Sequence, residues 1–242
     1  INEVNRWFDN SGYEHHFDNS PIPPQYNQNA LNGLPVIEFG SDGAGMEKTA
    51  FDISQMFSED ANTIIFVKRS TSGATWLNIP NAPLDLSLNA SSASFQYGTS
   101  SLDGSATLDD GYHIVTGIKT TTDQFIYIDG QQDANQVAST SLTTGVDDLY
   151  LGSADGTAAG GWQGTVAELL IYRRALNATE RMIVDNYLAS KYGLNLPADY
   201  DHYDGDLEAN GDYDFDVAGI GRGNGSDHLT SVSSGMYITD AG

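Results

Sequence analysis

GWQGTVAELLIYRRALNATERMIVDNYLASKYGL, from Gly161 to Leu194, carries an apolar strand through Arg173 and Arg174 into a capped helix, and it constrains the architecture most tightly. Val166, Glu168, Leu170 and Tyr172 alternate with Ala167, Leu169 and Ile171, a β-type run with so little polar relief that it predicts a strand covered on both sides. Asn177 stands at the N-cap with Glu180 three residues on as its capping-box partner, and Ile183, Val184, Tyr187, Leu188 and Tyr192 form an apolar stripe. Lys191 and Gly193 are stop signals. A helix of about four turns, in a chain otherwise written in strands, finds an apolar face only on a sheet.

Working outward, the chain has 242 residues, 39% hydrophobic and 10% aromatic, enough to bury a core as one large domain or one domain plus an extension. Its 26 glycines and short apolar runs punctuated by Gly, Asn, Asp and Ser describe an all-β sandwich or barrel. Candidate strands are 34–39, 62–69, 74–79, 84–89, 93–98, 112–119, 124–129, 148–152 and 165–172, with 99–110 and 153–161 as loops. Asp129-Gly130 is the clearest hairpin turn. So many strands in one sheet leave apolar faces wet, so two packed sheets are expected. No apolar run is long enough to span a membrane, and a start at Ile1 without a leader suggests a piece of something longer.

The Gly161–Leu194 run resembles the closing strand and helix of laminin-G-like, concanavalin A-like jelly-roll domains of secreted bacterial surface proteins. VNRWFDNSGYEHHF (4–17), LNGLPVIEFGSDGAGME (31–47) and FIYIDGQQ (125–132) fit the same pattern in order. The resemblance covers most of 1–196 and implies an all-β, two-sheet antiparallel jelly-roll sandwich with one short C-terminal helix packed on it. DYDFDVAGIGR (212–222) resembles the opening of a second surface module, so 197–242 reads as an acidic extension that leans on the main domain or lacks a C-terminal half.

The formal net charge of −23 makes phosphate backbones and anionic lipid surfaces poor partners, which argues against nucleic acid. It suits either solubility in salty surroundings or divalent cations. With no cysteine, disulfides, thiolate catalysis and Cys-type zinc sites are all excluded.

Jelly-roll glycoside hydrolases carry a Glu-x-Asp-x-x-Glu type string, since retaining hydrolysis needs two carboxyls about 5–5.5 Å apart. No such string occurs, and Glu168 and Asp85 lack close partners in sequence. GxSxG, P-loop and HExxH motifs are missing too. The adjacent His15 and His16 read as loop or packing residues.

Eight carboxylates fall between Asp199 and Asp216. From Asp206, the spacing Asp206, Glu208, Asn210, Gly211, Asp212 imitates the first half of an EF-hand loop, but Val217 replaces the twelfth-position Glu. Asp206, Glu208, Asn210, Asp212, Asp214 and Asp216 are therefore candidate calcium ligands of a generic oxygen-rich loop, against a solvated acidic linker. The resemblance adds rim acids as calcium candidates: Asp9, Asp42 and Asp155. For a sugar, an aromatic plane beside amides or carboxylates is wanted. Trp76 with Asn78 and Asn81, Tyr97, and Trp162 are the candidates; Trp7 is assigned to the core, and Trp162, within the closing motif, leans the same way.

These readings converge on a calcium-supported, non-catalytic binding module of an exported bacterial surface protein or adhesin. Its expected partners are a glycan or other cell-surface ligand and neighbouring domains of a longer polypeptide, with a secretion machine as a further candidate. A passive spacer or secretion cargo, and a polysaccharide-degrading enzyme with unfamiliar carboxylates, remain the alternatives.

Overall fold

The computed structural model describes residues 2–40, 43–72, 77–81, 84–88, 92–153, 161–211, 219–223, 225–233 and 236–239. Along these residues run β1 (Arg6–Trp7), β2 (Phe17–Asn19), β3 (Gln25–Leu31), β4 (Leu34–Phe39), β5 (Met46–Asp52), β6 (Asn62–Ser72), β7 (Leu77–Ile79) and β8 (Leu84–Leu88). They continue with β9 (Ala93–Tyr97), β10 (Ser100–Asp103), β11 (His113–Lys119), β12 (Asp123–Ile128), β13 (Gln131–Val137), β14 (Val146–Leu151), β15 (Gln163–Tyr172) and the helix α1 (Ala178–Tyr192).

Two antiparallel sheets form a jelly-roll sandwich. One is ordered β13-β12-β11-β6-β15-β4-β3, the other β1-β2-β5-β14-β7-β8-β9-β10. β6 shows why both layers exist. Ile64 and Phe66 point into the inter-sheet core, while Ile65 and Val67 point outward beneath α1, and all four are fully buried. Each such side chain contributes roughly 1.5–3 kcal/mol on burial, so a strand apolar on both faces demands cover on both. Across the sandwich, Phe95, Leu77 and Leu151 meet Phe66, Val115 and Ile126.

The helix forms as its caps dictate. The Asn177 side chain accepts from the Glu180 N–H, the Glu180 carboxylate accepts from the Asn177 N–H, and Gly193 closes the helix in the left-handed region at φ 62°. Of the expected stripe, Val184, Tyr187, Leu188 and Tyr192 pack on the outer cluster of the sheet, while Ile183 does not. Leu188, Ala189 and Tyr192 are buried on the sheet, and the polar Thr179, Arg181, Asp185 and Asn186 are buried as well. Ile183 instead meets the extension, its side chain lying against the Gly219 backbone. Among the buried polar residues, Arg181 donates to the Gly130 carbonyl at 2.8 Å and to Asp185 at 2.9 Å, and lies 3.9 Å over the Tyr127 ring.

Two expectations are corrected. Residues 100–103, assigned to a loop, pair with β9 as an edge strand. β3, β5 and β13 are strands that the sequence pattern passes over, because their exposed, polar residues leave no clean alternation. β15 is covered on both faces as read, with Val166, Leu169 and Ile171 on the inter-sheet core and Ala167, Leu170 and Tyr172 beneath α1, while along its edge β4 pairs only with Gly164, Thr165 and Val166. The Asp129-Gly130 hairpin forms as read, with φ 49° and 83° at its two central residues.

Beyond residue 196, the described extension rests on α1. Asn186 donates to the Tyr200 carbonyl at 2.9 Å and accepts from the His202 N–H at 2.7 Å. Thr179 donates to the Ser226 carbonyl at 2.9 Å. Two short hairpins follow, Gly221–Gly223 with Ser226–His228 and Thr230–Ser233 with Met236–Thr239. No helix among the described residues is long and apolar enough to cross a membrane.

Candidate functional site

Antiparallel pairing places the C-terminal end of one strand beside the N-terminal end of the next. The late residues of β6 and the early residues of β15 are both polar, and they meet. Arg69, Thr165, Glu38 and Gln25 stand in register across the adjacent strands β6, β15, β4 and β3. With strands about 4.8 Å apart, Arg69 and Glu38 are separated by two strand spacings, and Thr165 forms the floor between them.

Arg69, Thr165 and Glu38 of this row line a recess of 380 Å³ together with Asn27, Thr71, Tyr112 and Gln163, a volume typical of small-ligand sites. Its hydrogen bonds hold several side chains in place. Thr165 donates to the Tyr112 hydroxyl at 2.8 Å, Asn27 donates to Glu38 at 2.5 Å, and Thr71 donates to the Gln163 carbonyl at 3.2 Å. Arg69 is exposed and forms no ion pair among the described residues. In a chain with 33 acidic and 10 basic residues, a guanidinium left available over a polar recess is notable. Gly164 shapes the floor: a Cβ there would lie 2.2 Å from the Arg69 carbonyl oxygen and 2.5 Å from the Trp162 ring.

The residues picked from the sequence do not assemble around one point. Tyr97 is corrected from exposed sugar platform to core residue: it is fully buried, donates to the Ser58 carbonyl at 2.5 Å and accepts from Asn62. Burial raises its pKa. Trp162 is likewise fully buried, donating to the Ser70 hydroxyl at 3.0 Å and packing edge-on against Phe39. Trp7 sits half-buried at the border of the core. Asn78 stands on β7 in the other sheet, and exposed Asn81 is tied to Asp147 by two hydrogen bonds of 3.0 and 2.8 Å. Trp76, Asp42, Asp155, Asp212, Asp214 and Asp216 lie outside the described residues.

Among the acids, Asp9 organises its own loop. Its oxygens accept from the Ser11 N–H and hydroxyl, both at 2.8 Å, and from the His15 N–H at 2.9 Å. Partial burial opposes its charge, yet these donors hold its pKa below the usual range. Asp206 closes a turn of 3-10 helix, Glu208 opens the next, and Asn210 donates to the Asp204 carbonyl at 2.7 Å. No group of three metal-type side chains converges among the described residues.

Arg69, Glu38 and Gln163 escaped the sequence reading. The available signal was a polar tail on β6, NTIIFVKRSTS, facing the polar head of β15 once the two strands are paired.

Two packed antiparallel sheets, a single capped helix and a concave polar recess on the outer face of one sheet define a lectin-like β-sandwich. The model of the concanavalin A-like lectin/glucanases superfamily matches residues 55–180, and the chain belongs to that superfamily. Among solved structures it is similar to the binding domain of Paraclostridial Mosquitocidal Protein 1, with TM-score 0.61 and 15% identity over 75% of this chain and 49% of that one. It is also similar to the binding domain of botulinum neurotoxin DC solved with SialylT, with TM-score 0.58 and 16% identity over 75% and 48%. A botulinum neurotoxin type C structure describing interaction with two ganglioside molecules gives TM-score 0.57 and 13% identity over 77% and 51%. The chain spans about half the length of these solved domains. No curated protein matches it.

Proposed function

We propose that this chain is a non-catalytic carbohydrate-binding module of an exported bacterial surface protein, and that its sugar lies in the recess over Thr165. The observation that carries this is the in-register row of Arg69, Thr165 and Glu38 in the recess, flanked by Asn27, Gln163 and Tyr112. Amide, hydroxyl and carboxylate groups suit sugar hydroxyls, and a guanidinium suits a carboxylate substituent. The similar neurotoxin domains, described with SialylT and with gangliosides, support an acidic sugar. The protein's negative charge disfavours approach of such a ligand, but at physiological salt screening acts over about 8 Å, so the contact is governed by Arg69. Among the described lining residues Glu38 is the one carboxylate, whereas glycoside hydrolysis needs two.

Calcium is proposed as the ion that settles the acids between Asp206 and Asp216, holding the extension rather than touching the sugar. A glycan array probed in calcium and again in chelator, with the Arg69→Met chain alongside, tests the reading. Binding to a carboxylate-bearing sugar class that disappears with Arg69→Met supports it. Silence on all sugars favours a passive spacer.

A further inference from the structure

We infer that the open edge of β15 is a docking site for an extended peptide strand that alternates apolar side chains with lysine or arginine. This site is separate from the recess: it lies along the opposite half of β15, in a groove of 530 Å³ bounded by the Trp7–Ser11 loop, Phe17, Met56 and the end of α1.

The main-chain geometry comes first. β4 leaves β15 after Val166, so Ala167–Tyr172 have β6 on one side and, among the described residues, no strand on the other. Outside the ladder with β6, the one hydrogen bond to this stretch of backbone among the described residues is that from the Tyr192 hydroxyl to the Ala167 carbonyl, at 3.2 Å. Six residues of strand edge, roughly 20 Å, therefore present unpaired donors and acceptors. Proteins usually blunt such an edge with proline, outward lysine or a bulge. Here the sequence is Ala-Glu-Leu-Leu-Ile-Tyr, and the bulge between Val166 and Glu168 touches only its first residue, leaving Glu168–Tyr172 regular. An extended chain satisfies these groups, as strand addition does elsewhere.

Side-chain surroundings then fix the character of the occupant. Leu169 and Ile171 turn toward the inter-sheet core beside Trp7, so alternate residues of an added strand enter an apolar mouth. On the other face Glu168 is already paired with Lys191 at 2.8 Å and with the Tyr192 hydroxyl at 2.9 Å, so Lys191 is not available to an acidic peptide. At the rim Phe8 is 62% exposed and Tyr13 is 76% exposed, the latter stacked with His15, and exposed rings attract ammonium and guanidinium groups. The net charge of −23 acts in the same direction.

The probe is an acetylated hexapeptide amide alternating lysine and valine, titrated into the full chain, with two N-methylated forms blocking either the odd or the even amides. Only alternate amides of an added strand face β15. The expected result is that one methylated form loses at least about tenfold in affinity while the other binds like the parent. Amide hydrogen exchange within Ala167–Tyr172 should slow when the parent peptide is added. Equal binding of both methylated forms, absence of slowed exchange, or no binding up to millimolar peptide overturns the proposal. So does slowed exchange that follows protein concentration without peptide, since a second copy then fills the edge.

Discussion

Arg69 reaches solvent from a strand whose preceding residue, Lys68, is fully buried against Phe66, so consecutive cations on β6 serve opposite faces. Because Arg69 is exposed and carries no ion pair among the described residues, Arg69→Met should shift unfolding by no more than about 0.5 kcal/mol while removing most affinity for an acidic sugar. Thermal melts and a binding titration on the same samples check both halves. Asp185 is the reverse case. It is buried, Arg181 binds one of its oxygens, and the other has no hydrogen-bond partner. Burial pushes its pKa up to about 7 against the pull of Arg181. Unfolded, the same group titrates at about 3.9, so the native state holds the proton more tightly and this contribution to stability fades as pH rises from about 4 to 7. Urea unfolding from pH 4 to 8 should show the wild type losing a few kcal/mol relative to Asp185→Asn, whose side chain does not titrate in that window. A constant difference between the two would contradict the raised pKa. Such residues were hard to read in advance. Tyr97 reads as a sugar platform beside a polar loop, but which face of a strand points inward depends on register, and it turns inward, as does Trp162, for which the closing motif already favours the core.

At the scale of elements, local chemistry was most legible where it is self-contained. Asn177, Glu180 and Gly193 announced α1 because caps act within a few residues, and the Asp129-Gly130 turn announced its hairpin for the same reason. Asn177→Ala should cost about 1 kcal/mol, read as a lower unfolding midpoint with unchanged denaturant slope. Gly164→Ala should cost more, roughly 1–3 kcal/mol, because the new methyl meets the Arg69 carbonyl and the Trp162 ring, neither of which can retreat from a packed core. That variant also displaces the recess floor, so its sugar affinity should fall together with its stability. Edge strands such as β13 and β10 were illegible because their inward faces carry few apolar residues, Leu102 in β10 and Ala134 in β13, too few to show an alternation. The recess was illegible for another reason: its row belongs to three strands brought together by pairing, and no local pattern states that pairing.

Across the whole molecule, charge is the property with the longest reach. With 33 acidic against 10 basic residues, self-repulsion weakens the compact state, and simple salt should raise the melting temperature as it screens. A specific cation site predicts something further, since an ion that binds the folded chain and not the unfolded one adds RT ln(1 + [L]/Kd). Calcium at low millimolar concentration should therefore raise the midpoint beyond what sodium chloride gives at equal ionic strength, and chelator should reverse it. The acids proposed for this role all lie between Asp206 and Asp216, in an extension that contacts the sandwich through α1, so the gain should vanish in a chain with Asp206, Glu208 and Asp212 changed to Asn, Gln and Asn. If calcium and sodium act alike at matched ionic strength, the acids serve only as a solvated face, and the recess over Thr165 must bind its ligand without metal support.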